Sequence, residues 1–391
     1  MLRWFPPMGV YETLFRFAEV THRYMGEPGT HPWAQGFPLT TQLPGGPPLP
    51  SGVEVSAPDL KYPSATGELA LRRAIAEMYE AHYGARLTED NVALFAGGRP
   101  AILATLALLH GDVTVVVERT EYTPYYDMLR LLGRRHLLVP SDERNRFRPS
   151  LAEIEAVAEG ERILLLKSNP CNPTGVATTG DDLRRLVEAF ARDGRGVLFD
   201  EAYELFADPA PDSALRYVGD IDQTDVFVVG AATKGFQAPG IRVGWGIAAR
   251  RHVELFRNLS SIAMGGVSRL SQLYALRLLD PARVLEVRQA VPTFFTAQRA
   301  RYADGLARLG FMLFTGTGGF YHWARLPGEL VATELNERLF AHGAAILPGR
   351  LCDMARRSGE PSPLDRFMRF SFGPLPPESY ERDMEILAAC L

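Results

Sequence analysis

Hydrophobic and polar residues follow two patterns along the middle of this 391-residue chain. Short uninterrupted apolar runs alternate with segments whose apolar residues recur every three or four positions. The first pattern is typical of strands buried on both faces, and the second of helices that cover a sheet. Their alternation predicts an α/β fold with a mostly parallel sheet. The predicted strands are 91–95, 113–117, 163–166, 197–199, 226–229 and 243–248.

Helices are predicted on both sides of these strands and after them. Helical spacing of apolar residues indicates helices after a turn at 62–68 and at 11–25, 101–109, 124–132 and 181–191. Six prolines between positions 31 and 50 predict an extended, turn-rich arm. A long helix at 271–300, bending near Pro292, is followed by short strands at 311–314, 319–324, 344–347 and 368–372. This last part predicts a smaller α+β unit.

These patterns predict three parts of the chain. Residues 1–50 form an N-terminal arm that packs on the small domain and covers the active site, 51–280 form a large domain, and 281–391 form a small α+β domain. A chain of this length is too long for one ordinary hydrophobic core.

Composition narrows the class of protein and its partners. The chain is 46% hydrophobic and 23% charged, as soluble globular proteins are, and its net charge of −4 gives no reason to expect nucleic acid or an anionic membrane as partner. No apolar run approaches the ~20 residues of a membrane span, and the N-terminus lacks a signal-peptide pattern. Three cysteines without metal-ligand spacing predict a reduced, cytoplasmic protein with no metal site.

One lysine follows a predicted buried strand. Lys234 lies among small residues, glycine and proline, and Arg242 follows eight positions later. Burial would lower the pKa of this amine and let it form a Schiff base with the carbonyl of pyridoxal phosphate (PLP), whose phosphate Arg242 could bind. Taken alone, an ordinary loop lysine remains the alternative.

Other polar residues follow strand ends, where parallel sheets bind ligands. Asn172 lies in a turn at 169–175, and Asp200 and Tyr203 follow the next strand. A buried carboxylate needs a partner, and a protonated pyridine nitrogen would provide one, although a structural ion pair or helix cap is the alternative for Asp200. Tyr203 could donate to the phenolic oxygen of the ring. The run 97–100 opens a helix whose N-terminus suits a phosphate.

Together these stretches resemble the class I and II aminotransferase family, PLP-dependent enzymes of fold type I. The resemblance extends from about Tyr62 to Phe372. Its most specific pieces are Asn-Pro-x-Asn-Pro-Thr-Gly at 169–175 and Thr-Lys-x₄-Pro-Gly-x-Arg-x-Gly at 233–244. It implies a three-layer PLP-binding large domain at 51–280 with a smaller α+β domain, an α-amino acid and a 2-oxo acid as substrates, and a homodimer with shared active sites.

The resemblance also implies a role for each matching residue. Lys234 would form the Schiff base and move a proton to and from the cofactor, and Asp200 would pair with the pyridine nitrogen. Asn172 and Tyr203 would donate to the phenolic oxygen, and Tyr122 would stack on the ring. The implied phosphate contacts are Gly98, Arg99, Thr233, Arg242 and, from the neighbouring subunit, Tyr62.

Three residues are implied in substrate binding. Arg369 resembles the arginine that grips the substrate α-carboxylate with two hydrogen bonds, and a surface arginine on a strand is its alternative. Asn172 and, by a looser match, Gly36 would contact the same substrate.

Three departures from the family pattern, the first of which involves both Ala231 and Arg99, keep other chemistry open. Ala231 stands where a serine is common, Arg99 replaces a small polar residue or glutamine, and the run 119–122 lacks a proline expected before the stacking aromatic. The arm, with His31, matches no subgroup pattern. PLP-dependent β- or γ-elimination, replacement or cyclisation in specialised metabolism is therefore the alternative. A PLP-bound transcription regulator is opposed by the negative charge and by the lack of a basic helix-turn-helix before residue 60.

Overall fold

A seven-stranded sheet occupies the middle of the chain in a computed structural model that describes residues 1–2, 4–158 and 162–391. Its strands are β1 (Val92–Phe95), β2 (Thr114–Glu118), β3 (His136–Val139), β4 (Ile163–Ser168), β5 (Arg195–Asp200), β6 (Val226–Ala231) and β7 (Gly244–Ile247). The order across the sheet is β1-β7-β6-β5-β4-β2-β3. Strands β2 to β6 are parallel, and β7 runs antiparallel to both of its neighbours. The predicted mostly parallel α/β sheet is confirmed.

Helices cover both faces of this sheet. The described helices are α1 (Gly9–Thr21), α2 (Leu69–Tyr83), α3 (Gly98–Leu108), α4 (Thr123–Leu132), α5 (Leu151–Val157), α6 (Gly180–Phe190), α7 (Arg250–Ala263), α8 (Arg269–Leu278), α9 (Pro281–Arg308), α10 (Ala332–Phe340) and α11 (Tyr380–Cys390). Successive residues of β4 belong to two separate hydrophobic cores, one on each face of the sheet. Leu165 belongs to the core with residues of α2 and α6, whereas Leu164 and Leu166 belong to the core with residues of α3, α4 and α7. This is the three-layer arrangement that a strand with apolar residues on both faces requires.

A second, antiparallel sheet lies in the last third of the chain. Its strands are β8 (Met312–Leu313), β9 (Tyr321–Arg325), β10 (Leu347–Pro348) and β11 (Phe367–Ser371), in the order β10-β11-β9-β8. With α9, α10 and α11 it forms the predicted α+β unit. The division of the chain at residues 50 and 280 stays a prediction.

The proline-rich arm packs against this second sheet. His31 forms a bridge with Ala344, and the Trp33 carbonyl accepts a hydrogen bond of 2.9 Å from Ser371 N. One fully buried carboxylate, Asp383 of α11, anchors the arm. Trp33 Nε1 donates to Asp383 Oδ1 over 3.2 Å, and His31 Nδ1 lies 2.7 Å from the same oxygen. The start of the arm is therefore held on the small sheet.

The prediction of a single helix at 271–300 is wrong. The chain forms α8 and α9, which are separated at Leu279 and Asp280. Asp280 accepts hydrogen bonds from Ala282 N and Arg283 N, and Pro281 takes the first position of α9, so both residues favour a new helix start. Pro292 lies inside α9.

Elements without a strong apolar pattern escaped prediction. These are β3, a half-buried strand at the edge of the large sheet, α5 and α7. Among the described helices, none is long and apolar enough to cross a membrane.

Candidate active site

One pocket collects residues from the carboxyl ends of β4, β5 and β6 and from the N-terminus of α3. Parallel strands end at the same edge of a sheet, and a ligand at this edge meets every one of these ends. Nine of the twelve residues predicted for the site line the pocket. They are Gly98, Arg99, Tyr122, Asn172, Asp200, Tyr203, Thr233, Lys234 and Arg242.

Lys234 lies in the turn after β6 and extends into this pocket. Desolvation, followed by the positive charges of Arg99 and Arg369, lowers its pKa to about 7. Its Nζ donates a hydrogen bond to the carbonyl of Gly36 in the arm. A lysine with this pKa is substantially uncharged near neutral pH, which makes it both a nucleophile and a base.

Asp200 ends β5 and has 6% of its surface exposed. Its Oδ2 accepts a hydrogen bond from Tyr125 over 2.9 Å, and its Oδ1 accepts one from Ala202 N over 3.2 Å. Burial raises the pKa of this carboxyl. Among the described residues, no basic side chain lies within 4.0 Å of it, so the structural ion pair considered above is not observed. A cationic ring nitrogen would supply the missing charge.

The phosphate end of the predicted site depends on close backbone packing. A Cβ atom at Gly97 would lie 2.2 Å from Arg242 Nη2, and one at Gly244 would lie 2.5 Å from the carbonyl carbon of Gly97. Arg242 donates to the Ala96 and Pro239 carbonyls over 3.0 and 2.8 Å, which holds its guanidinium beside the start of α3. Free N–H groups at a helix N-terminus beside an arginine suit an anion.

Arg369 reaches the site from β11 of the second sheet and is 2% exposed. It donates to Asn172 Oδ1 over 2.8 Å and to the Ala34 carbonyl over 2.7 Å, and it stacks 4.3 Å above the ring of Tyr321. Its Nε has no hydrogen-bond partner in the described part of the chain. A buried guanidinium that lacks a carboxylate among those residues suits a carboxylate ligand.

Besides Arg369, two predicted residues lie outside the pocket lining, Gly36 and Tyr62. Gly36 accepts the hydrogen bond from Lys234, and a Cβ atom there would lie 2.4 Å from the hydroxyl of Tyr321. Tyr62 is 98% exposed and reaches no part of this pocket. Its predicted contact with a neighbouring subunit stays a prediction.

Sequence reasoning missed Tyr321 and Ser168. The Tyr321 hydroxyl hydrogen-bonds to that of Tyr203, and Ser168 lines the pocket at the end of β4. Tyr321 belongs to β9, whose register against β11 pairs it with Ser371, two residues from Arg369, and no local signal indicates that register. Ser168 follows the apolar run of β4 directly, so the rule about strand ends could have found it.

The residues present fit PLP. Four features of the described pocket show this: a lysine with a lowered pKa, a buried carboxylate without a close cation among the described residues, an arginine beside a helix N-terminus, and a buried guanidinium whose Nε has no partner among them. They match a carbonyl, a ring nitrogen, a phosphate and a substrate carboxylate, respectively.

Comparison with known proteins agrees with the motif resemblance. Residues 54–382 match the model of the family described as aminotransferase class I and II. An aspartate aminotransferase from Streptomyces avermitilis is 31% identical over 276 residues, which are 69% of this chain and 66% of that protein. An LL-diaminopimelate aminotransferase from Dehalococcoides mccartyi is 26% identical over 298 residues, 74% of this chain and 75% of that protein. A solved aspartate aminotransferase from Thermus thermophilus with maleate has the same fold, with a TM-score of 0.80 at 21% identity over 99% of this chain and 97% of the other.

Proposed function

Since this chain belongs to the class I and II aminotransferase family, we propose that it is a PLP-dependent transferase that moves an amino group from an α-amino acid to a 2-oxo acid. The observation that carries the proposal is the convergence of Lys234, Asp200 and Arg242 on one pocket. When bound, PLP supplies a carbonyl that a lysine amine can attack and a ring that withdraws electrons from the substrate α-carbon.

Each residue of the pocket has a task that follows from its surroundings. Lys234, with a pKa of about 7, removes the proton from the substrate α-carbon and returns a proton during transfer. Asp200 stabilises a positive charge on the ring nitrogen, and Tyr125 holds this carboxylate in place through its hydroxyl. Arg242 and the N–H groups at the start of α3 bind the phosphate.

Arg369 binds the α-carboxylate of the amino acid. Its two partners, Asn172 Oδ1 and the Ala34 carbonyl, fix the plane of the guanidinium, and the stacked ring of Tyr321 supports it from one face. The names of the similar proteins, aspartate and LL-diaminopimelate aminotransferases, support an α-amino acid as the donor.

We also propose a cytoplasmic homodimer. The exposed Tyr62 supports the dimer, because its ring is free to reach a second copy of the chain. The three cysteines are all unpaired and buried, which supports a reducing compartment.

The lysine content of the chain allows a direct test of the cofactor site. There are three lysines: Lys61 is exposed, Lys167 is buried beside Glu118, and Lys234 lines the pocket. Borohydride reduction of the PLP-loaded protein, followed by peptide mass spectrometry, should find the cofactor on Lys234.

The variant Lys234→Ala should turn over about 10²–10⁴-fold more slowly than the wild type, because the base that moves the proton is missing. Lys61→Ala is the matched control and should behave like the wild type.

The type of reaction is tested by mixing the loaded protein with single amino acids and no 2-oxo acid. Conversion of one equivalent of cofactor to pyridoxamine phosphate, with one 2-oxo acid released, is the expected result. Repeated turnover with the cofactor unchanged would contradict amino-group transfer and favour elimination, replacement or cyclisation.

A further inference from the structure

A buried carboxyl group, that of Glu121, lies directly behind the pocket without lining it. Glu121 has no exposed surface, and three donor groups make four hydrogen-bond contacts with its two side-chain oxygens. Tyr122 N donates to Oε2 over 2.6 Å, and Ser168 N donates to Oε1 over 2.8 Å. The Ser168 hydroxyl lies 2.9 Å from Oε1 and 2.7 Å from Oε2. One side chain therefore joins the start of α4 to the end of β4.

These contacts lead to three residues that do line the pocket. Tyr122 and Ser168 bind Glu121 directly. Asn172 follows one step later, because its N–H donates to the Ser168 hydroxyl over 3.1 Å. Asn172 Oδ1 in turn accepts the 2.8 Å hydrogen bond from Arg369. A displacement of Glu121 would thus reach both the ring-stacking residue and the carboxylate-binding arginine.

Stability of the fold alone does not account for a carboxylate here. Glu121 lies near a second buried carboxylate, Glu118, which pairs with Lys167, and near the Cys171 thiol. Burial, together with the charge of Glu118, raises the pKa of Glu121 to about 8. An apolar residue of similar volume would avoid this cost. The run 119–122 also lacks the proline expected there, so hydrogen bonds to Glu121 take over the rigidity that a proline would give.

We propose that Glu121 is a positioning residue that sets the orientation of Tyr122 against the cofactor ring and, through Ser168 and Asn172, that of Arg369 against the substrate. The proposal rests on the proposed function, because both targets belong to the PLP and substrate sites.

The test is Glu121→Gln, with Glu118→Gln as the matched control. Near neutral pH a carboxyl group with a pKa of about 8 is largely protonated, but both of its oxygens keep lone pairs that accept hydrogen bonds from Tyr122 N and Ser168 N. The amide nitrogen of glutamine has no such lone pair, so either orientation of the new amide turns an N–H₂ group toward one of these donors. Glu118 hydrogen-bonds to no residue that lines the pocket. In Glu121→Gln we expect the Kd for PLP and the KM for the amino acid each to rise about tenfold, with a smaller change in kcat. The visible circular dichroism of the bound cofactor should change as well, since it reports on the packing of the ring.

Glu118→Gln should lower the unfolding temperature but leave the Kd for PLP and the dichroism unchanged. If both variants show equal losses of stability and wild-type spectra, Glu121 has only a structural role and the proposal fails. If Glu121→Gln does not fold, Ser168→Ala is the second test, because it removes the hydroxyl that connects Glu121 with Asn172. A wild-type dichroism and KM in that variant would overturn the proposal.

A failure of the proposed function can be distinguished from a failure of this inference by the behaviour of the wild-type protein. A wild-type protein that binds no PLP contradicts the function itself. A wild-type protein that binds PLP and turns over, beside a Glu121→Gln variant indistinguishable from Glu118→Gln, contradicts only this inference.

Discussion

At the scale of single residues, the burial of Lys234 and the charges around it govern the chemistry of the pocket. Burial disfavours its protonated form most, Arg99, Arg369 and Arg242 add to this effect, and Asp200 opposes it. The sequence predicts the burial of Lys234 from its position after an apolar strand. It does not predict the contribution of Arg369, because that residue arrives from the second sheet.

The state of Lys234 predicts how cofactor capture depends on pH. In the cofactor-free protein its pKa lies near 7, below the ordinary value of 10.5. The reactive neutral amine therefore forms as the pH rises through about 7, and the rate of PLP incorporation should rise with it and level off above pH 8. Stopped-flow absorbance measures this rate.

The lowered pKa of Lys234 also makes the free energy of folding depend on pH. Between pH 7 and 10.5 the unfolded chain binds more protons at this lysine than the folded chain, so this group makes folding more favourable as the pH rises through that window.

The variant Arg99→Gln tests the electrostatic part of this shift. It removes one positive charge near Lys234, so the midpoint of the pH dependence of PLP incorporation should move to higher pH. A midpoint near 10 in the wild-type protein would contradict the lowered pKa.

At the scale of elements, the uninterrupted apolar strands were predictable along most of their length, whereas the half-buried edge strand β3 was not predicted. Strands β2, β4, β5 and β6 are buried along nearly their whole length, so their sequences carry a strong signal. Strands β8 and β10 have two residues each: β8 lies inside the strand predicted at 311–314, whereas only Leu347 of β10 lies in the strand predicted at 344–347. Their places come from antiparallel pairing with β9 and β11, which depends on distant parts of the chain.

The arm segment around Gly36 gives a prediction at this scale. A methyl group at Gly36 would lie 2.4 Å from the Tyr321 hydroxyl and 3.8 Å from Arg369 Nη2, so Gly36→Ala must displace the arm. We expect the KM for the amino acid to rise about tenfold or more, because the Ala34 carbonyl that supports Arg369 moves with the arm.

Gly52→Ala is the control for this change. Its new methyl group meets nothing within 4 Å, and steady-state kinetics should match those of the wild type. Equal kinetics for the two variants would show that the arm adjusts without disturbing the site.

At the scale of the whole molecule, the pocket joins the large sheet, the small sheet and the arm. The motifs made most of its members predictable, since Asn172, Asp200 and Lys234 each follow a strand of the large sheet. Tyr321 and the hydrogen bonds of Glu121 were beyond prediction, because they depend on how β9 and α4 approach that sheet.

The proposed homodimer is the prediction at this scale. Sedimentation should give twice the mass of the single chain. Tyr62→Phe should leave that mass unchanged and raise the Kd for PLP about tenfold, because one hydrogen bond to the charged phosphate is lost. Tyr24→Phe, which also alters an exposed tyrosine, should leave PLP binding unchanged. A monomer with wild-type affinity would contradict the shared site.

The hydrogen bond between Arg369 and the Ala34 carbonyl has a consequence for the order of folding. Its partners are 335 residues apart, so this contact closes a loop that contains most of the chain. Contacts of such high sequence separation form late. During synthesis, the seven strands of the large sheet leave the ribosome before Arg369 exists. The nascent chain can thus assemble its phosphate end while the carboxylate end is still missing, and substrate binding becomes possible only after Arg369 has been synthesised and has met the arm.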